Sequence, residues 1–525
     1  MASGQPADRG RHGRLARLEH ERGQRAQHVQ LVVWGGDRTA RLGVAVGCAR
    51  RPDAVRRRRP ATNGGRSLGG PRKAVLRWPW PDRFRCRASG PQGHGVERTH
   101  LDVPPGAYRA AVRVYFHTFG CRANQYDTDV VRQRFSDEGA VVVDDPALAD
   151  LAIINSCTVT HESEVKLRRF VRHVAKSGAA QTIVMGCAAA LDDGSIAALP
   201  SVRAVVANAD PEAVLTAAGM SLPFSAKRRR GQGVRSRALL KIQDGCDEHC
   251  TFCATTIARG DNRSRPVAEL VEEARVLAAN HAEIVLTGVH IGTYGQDRFP
   301  DPGRKPGVYP RQDHTLGRLL ESLINAVPEV RFRLSSVEAT EVDDTLAHLL
   351  VEAPRHLAAH LHAPLQSGSD HVLKRMGRHW YTAASYRARI EWLAERMPVF
   401  GLGADIIAGF PGETQQDHDA TRTLLNALPL TYLHVFPFSV RPDAPAARMT
   451  GQLPPEVIRA RARELREVGD AKAGTYRERR RGAWADGIVS GRQAGKVELL
   501  TEDYLPVHIR SEDWAGQSRF AVEID

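Results

Sequence analysis

The residues best placed to do chemistry are cysteines. The chain has 525 residues and only 8 Cys, too few for a disulfide framework, so clustered cysteines are read first as metal ligands. Cys246, Cys250 and Cys253 stand in the text CDEHCTFC, with C-x3-C-x2-C spacing. Three thiolates so close can hold a metal centre. No fourth Cys lies at ligand distance. A structural zinc would want one more ligand, and His249 is the nearby candidate. Three further cysteines, Cys121, Cys157 and Cys187, lie far apart but in matched settings: TFGCRAN, NSCTVT and MGCAAA. They could be small core residues, as free Cys often is. They could equally be three thiolates meeting at one sheet edge, holding a cluster with one open iron or a zinc with one open position. Cys48 and Cys86 have no partner at ligand spacing.

The elements around these residues decide between such readings. Apolar alternation predicts strands over 112–117, 151–155 and 182–185, with helices over 123–138 and 161–176. Strands alternating with helices imply a parallel sheet with right-handed crossovers. Cys121, Cys157 and Cys187 each follow a predicted strand, and ligands bind beyond the carboxyl ends of such strands. From residue 239 the alternation repeats six times, with strands predicted over 238–243, 283–287, 330–334, 357–362, 401–407 and 431–436. Helices over 267–280, 316–326 and 383–396 lie between them. The texts after these strands are QDGC, TGVHIGTYG, SSVE, PLQSGSD, AGFPGET and FPFS, rich in Gly and polar groups. In β/α barrels such strand ends build the active site.

Charge and composition set apart the first fifth of the chain. Residues 1–106 carry 22 of the 74 Lys+Arg and 8 of the 60 Asp+Glu, an excess equal to the whole net charge of +14. The remainder is balanced, so global charge does not argue that the folded part binds a polyanion. The segment 1–108 reads as a disordered basic tail, as a spurious upstream extension (no Met follows Met1 until Met185), or as a nucleic-acid-binding arm. No apolar run of about 18 residues suggests a membrane span, and no secretory pattern opens the chain, so a cytoplasmic location is expected. The insertion 296–312, with four Pro, reads as a surface loop. The linker 227–237, with six basic residues and no acid, reads as a phosphate contact or a solvated linker. A basic helical stretch over 455–482 precedes four short β-like runs: 484–490, 496–500, 505–509 and 520–524.

The CDEHCTFC text resembles the cluster motif of the radical S-adenosylmethionine (SAM) family, and Phe252 matches the aromatic usual before the last Cys. The resemblance implies that Cys246, Cys250 and Cys253 hold a 4Fe-4S cluster whose fourth iron binds S-adenosyl-L-methionine, and that the six strand–helix units form the family's partial barrel. It further implies that Thr287 and Gly288 receive the methionine amino group and that Ser336 and Glu338 contact the cofactor's polar groups. Gln366 and Ser367 would line the pocket, and Gly409 would open the adenine-side turn. Turn chemistry alone would also place Gly, Ser and Pro there.

Residues 112–525 as a whole resemble the radical SAM methylthiotransferases. That resemblance implies an α/β architecture of three parts: an N-terminal parallel α/β three-Cys domain (110–225), a partial (β/α)6 radical SAM barrel (232–464), and a small C-terminal β-barrel (465–525) like the RNA-binding TRAM domain. It gives Cys121, Cys157 and Cys187 a second 4Fe-4S cluster. HTFGCRANQYDTD and INSCTVTHESEVKLRR are most similar to the branch that acts on N6-threonylcarbamoyladenosine at position 37 of tRNA. The implied chemistry is radical removal of hydrogen from adenine C2 and delivery of a methylthio group. The partners would be a tRNA anticodon loop, whose base must leave its stack, and a reducing electron donor, with no membrane. The alternatives are another methylthiotransferase branch, acting on isopentenyladenosine in tRNA or on a ribosomal protein, and a non-catalytic iron–sulfur RNA-binding protein.

Overall fold

The computed structural model describes residues 111–158, 161–178, 181–220, 236–298 and 315–525. The expectations for 1–108, and for most of 227–237 and 296–312, lie outside the described residues.

The first part alternates β1 (Arg113–Thr118), α1 (Arg122–Asp137), β2 (Val141–Val143), β3 (Leu151–Ser156), α2 (His161–Lys176), β4 (Gln181–Gly186), α3 (Cys187–Ala190), β5 (Val202–Ala207) and α4 (Pro211–Ala217). The strand order is β2-β1-β3-β4-β5, and every pairing is parallel. All six residues of β3 are buried, as expected of a strand covered on both faces. Leu167, Val171 and Val174 of α2 pack one face, while Val131 and Phe135 of α1 and Leu215 of α4 pack the other. Three strands were expected and five are present. The two additions, β2 and β5, are edge strands without a continuously buried run, so their periodicity is weak. The order reverses between β1 and β3, and the crevice at such a switch point is where ligands bind. Cys121 and Cys157 lie just beyond those two strands.

The second part runs β6 (Ala238–Lys241), β7 (Gln243–Asp244), α5 (Thr255–Arg259), β8 (Arg263–Ser264), α6 (Val267–Ala278), β9 (Glu283–Thr287), α7 (Leu316–Ala326), β10 (Arg331–Leu334), α8 (Asp344–Glu352), β11 (His360–His362), α9 (Asp370–Arg375), α10 (Ala383–Arg396), β12 (Gly401–Ala408), α11 (Gln415–Ala427) and β13 (Tyr432–Pro437). Six parallel strands, β6, β9, β10, β11, β12 and β13, follow one another around a partial barrel. Single bridges, Phe332 to Leu357 and Ser336 to His362, join its two halves. The strand expected over 238–243 is interrupted: β6 stops at Lys241, and β7 turns away to pair antiparallel with β8. Alternate residues such as Ile284, Leu286, Phe332, Leu334, Leu402 and Ile406 join the helices in the main core. The other face is polar. Glu283, Arg331 and Arg333 are fully buried there, with His360 and His362 beside them.

A single helix, α12 (Pro455–Arg480), follows the barrel, so the expected boundary at 464/465 falls inside one continuous element. It packs on β12, β13 and α11. Gly469 permits the approach, since a Cβ there would lie 3.0 Å from the Leu433 side chain. The chain ends in β14 (Trp484–Gln493), β15 (Lys496–Leu500), β16 (Pro506–Arg510) and β17 (Arg519–Glu523). These form an antiparallel sheet, ordered β16-β15-β14-β17 and bulged between Val489 and Gly491. The expected small barrel is thus a curled half-barrel, with β16 and β17 as its edges. No described helix is long and apolar enough to cross a membrane.

Candidate metal centres

Cys121 immediately precedes α1, Cys157 follows β3, and Cys187 opens α3. Gly186 makes the last placement possible. Its φ is +93°, and a Cβ there would lie 2.1 Å from Asn155 Oδ1 and 2.7 Å from the Ser156 carbonyl. Gly120 does the same for Cys157, whose Sγ would sit 2.8 Å from an added Cβ. Buried Asn124 organises the group. Its Nδ2 donates to the carbonyls of Phe119 (3.1 Å) and Ser156 (2.8 Å), and its Oδ1 lies 3.7 Å from the Sγ atoms of both Cys121 and Cys187. The three cysteines therefore meet at one edge, and all are free thiols. The core-residue reading explains neither the convergence nor the exposure of Cys121.

The second trio lies on the loop between β7 and α5, where Cys253 N donates to the Cys250 carbonyl at 3.1 Å. Segments from across the barrel pin that loop. Thr251 N donates to Met376 O, Thr251 Oγ1 donates to Arg375 O, and Ala446 N donates to Thr251 O, each at 2.8–2.9 Å. Arg378 Nη1 lies 3.4 Å from Cys250 Sγ. Burial pushes the bare Cys250 thiol up to about 12, so a bound cation is what would hold it as thiolate at neutral pH. His249, the candidate fourth zinc ligand, is exposed. The imidazole touching the trio is instead His290, whose Nδ1 lies 3.5 Å from Cys246 Sγ and whose Nε2 lies 2.7 Å from Glu341 Oε1. Both trios have three convergent thiols and a guanidinium alongside, a donor set that suits a three-thiolate iron–sulfur cluster with one iron left open.

One side chain ties the first trio to the segment that carries the second. Arg259 closes α5, the short helix that follows Cys253. Its Nε donates to Cys187 Sγ at 3.1 Å, Nη1 to Asp244 at 2.8 Å, and Nη2 to Asn124 Oδ1 at 2.6 Å and Asp127 at 2.9 Å. Burial opposes its charge, but Asp127, Cys187 and Asp244 outweigh that and hold the guanidinium charged. Burial also acts against the Asp244 carboxylate, yet Lys241 and Arg259 hold it below the usual carboxylate range. Further contacts dock the first part on the barrel: Lys241 on Asp127, Tyr126 OH on Glu273 at 2.9 Å, and Arg441 on Glu164 at 2.6 Å.

The remaining sequence-predicted residues all sit at the carboxyl-end rim of the barrel. Thr287 ends β9, and its carbonyl accepts from Ile242 N at 2.8 Å. Gly288 presses on Gln243, whose Oε1 accepts from the next two amides, Val289 and His290. Ser336 is exposed beside His362. Glu338 is buried against Arg378, and Trp380 Nε1 donates to it at 2.6 Å. Burial would raise this carboxyl, but Arg378 and His290 lower it. Through Arg378, Glu338 is therefore tied to Cys250. Gln366 has φ +66°, an uncommon conformation for a residue with a side chain, and Ser367 is buried. Gly409 has φ +79° and lies under Ile458 of α12. The sequence reading missed Asn124, Asp127, Arg259, His290 and Arg378. Only the position of Arg259, six residues past the CDEHCTFC text, was a usable signal.

Residues 113–207 match the family model described as Uncharacterized protein family UPF0004, and residues 240–425 match that of the Radical SAM superfamily. The threonylcarbamoyladenosine tRNA methylthiotransferase MtaB of Bacillus subtilis (strain 168) is 36% identical over 385 residues, spanning 69% of this chain and 81% of that protein. The protein of the same name from Aquifex aeolicus (strain VF5) is 31% identical over 414 residues, spanning 75% of this chain and 96% of that protein. Among solved structures, the radical S-adenosylmethionine methyltransferase TsrM from Kitasatospora setae, with cobalamin and a 4Fe-4S cluster bound, is 15% identical with a TM-score of 0.44, covering 64% of this chain and 77% of that one.

Proposed function

Because the chain belongs to the radical SAM tRNA methylthiotransferases, we propose that it adds a methylthio group to C2 of N6-threonylcarbamoyladenosine at position 37 of tRNA. The observation that carries this reading is that Arg259, on the helix just after Cys253, bonds both Cys187 of the first trio and Asp244, two residues before Cys246 of the second. Cys121, Cys157 and Cys187 would hold one 4Fe-4S cluster, and Cys246, Cys250 and Cys253 a second. Together with S-adenosyl-L-methionine these supply radical cleavage chemistry and a methylated sulfur. The protein's own side chains hold and shield. Arg259 and Arg378 place a fixed positive charge beside Cys187 and Cys250, which offsets the negative charge of assembled thiolates. Thr287, Gly288, Ser336, Glu338, Gln366 and Gly409 form the rim that would seat S-adenosyl-L-methionine. The adenine must leave its stack to reach this rim, and the anticodon loop offers unstacked bases for that. The C-terminal half-barrel is the candidate RNA-binding module. The reaction also calls for a reducing electron donor and a cytoplasmic tRNA pool.

Nucleoside mass analysis of tRNA from a strain lacking the gene tests the assignment. Loss of 2-methylthio-N6-threonylcarbamoyladenosine, with accumulation of the unthiolated nucleoside, is expected. An unchanged level would overturn it. Iron analysis of anaerobically reconstituted protein should give about eight irons per chain if each trio holds one four-iron cluster. Replacing Cys121, Cys157 and Cys187 with Ala should halve that number.

A further inference from the structure

A cavity of about 480 Å³ opens where the first part, the barrel and the C-terminal sheet meet, within the size range of small-ligand sites. Its floor is Leu239 and Val285, paired neighbours on β6 and β9. Its walls carry three arginines from three separate segments: Arg122 in α1, Arg237 just before β6, and Arg492 in β14. No Asp or Glu lines it. Arg237 is engaged, with Nη1 3.5 Å from Glu283. Arg122 and Arg492 form no ion pair among the described residues. Arg492 lies over the Trp514 ring at 4.0 Å, and Arg122 Nη2 donates to Tyr504 OH at 3.1 Å. That bond fixes the Arg122 guanidinium while leaving most of its five donors unused. Cationic donors lining a cavity without a counter-charge are poised for an anionic oxygen pair.

We propose that this cavity takes the carboxylate of the threonyl group and that Arg122 is the residue that selects for it; the inference rests on the substrate proposed above. The N6 substituent of threonylcarbamoyladenosine ends in a carboxylate, which plain adenosine lacks. Arg122 is also the residue directly after Cys121. The turn that brings this thiol to the first trio therefore also brings the guanidinium to the cavity wall. One segment thus serves both the sulfur-bearing end of the site and the distinguishing end of the substrate.

The test is binding of two anticodon stem-loop RNAs, one with N6-threonylcarbamoyladenosine and one with unmodified adenosine at the same position, to the full-length iron-loaded protein. The wild type should prefer the modified loop. Arg122→Gln should weaken that complex roughly 10- to 100-fold, the range for losing a charge-assisted bond, and change the unmodified one less than about 2-fold. Arg122→Lys should recover part of the loss. The unmodified loop doubles as the folding control. Equal weakening of both loops would assign Arg122 to an RNA phosphate and overturn the proposal, as would no change in either. If the wild type prefers the modified loop through Arg122 but forms no methylthiolated product, the cavity assignment stands and the proposed reaction falls.

Discussion

Replacing Arg259 with Met keeps the aliphatic stem and removes the charge that joins the two halves of the site. The wild-type guanidinium gives charge-assisted bonds to Asp127 (2.9 Å) and Asp244 (2.8 Å), as well as bonds to Asn124 and Cys187. Each bond to a charged group contributes about 1.5–3 kcal/mol, so the two carboxylate bonds are together worth about 3–6 kcal/mol. Lys241 remains paired with both Asp127 and Asp244, so neither carboxylate is left without a cation. The expected loss is therefore at the lower end, about 3 kcal/mol. A chain of several packed units does not unfold in one step, so the proper readout is local. Amide hydrogen exchange at α1 and α5 should accelerate roughly 100-fold, since about 1.4 kcal/mol corresponds to tenfold. Exchange in the half-barrel sheet should barely change. Asp127→Asn should be less damaging on the Arg259→Met background than alone, because the two share one interaction. Acceleration below about 5-fold, or strict additivity of the two substitutions, would refute the idea that Arg259 clamps the two parts together.

Gly186→Ala forces a Cβ into Asn155 and the Ser156 carbonyl at a φ of +93°, so it should displace Cys187. Reconstituted iron should fall by about half while the barrel's thermal unfolding is little changed. Glu283 is fully buried, and burial would raise its carboxyl, but Arg333 and Arg331 hold it down to about 2. A carboxyl lowered from 4.5 to about 2 contributes about 3 kcal/mol, present in full above pH 4.5 and lost as pH falls toward 2. Acid titration monitored by circular dichroism should show that loss, and Glu283→Gln should abolish it. The same Gln variant leaves Arg333 buried without its counter-ion, while Arg331 keeps only Asp486 at 3.0 Å, and should destabilise the barrel at pH 7 by about 3 kcal/mol in denaturant melts. Arg441→Met, which removes the pair with Glu164, should speed exchange in α2 while leaving α5 unaffected.

Cysteine spacing and strand-end texts carried much of the candidate site in the sequence alone. Local rules suffice there. A cluster motif needs its ligands on one short loop, and a parallel sheet delivers its strand ends to one edge whatever the helices contain. The matches of 283–287, 316–326 and 383–396 to β9, α7 and α10 follow from the same cause, strong periodicity over a buried face. The edge strands β2 and β5 were missed because half-exposed residues show no clear period. What only the tertiary structure decided is which long side chains meet the cysteines. Arg259 reaches Cys187 across 72 residues of sequence, Arg378 reaches Cys250 across 128, and Arg122 reaches Tyr504 across 382. An arginine in a sequence reads the same whether it faces water or a buried thiol. Its role is fixed only when packing removes the solvent around it and sets which partners lie within reach.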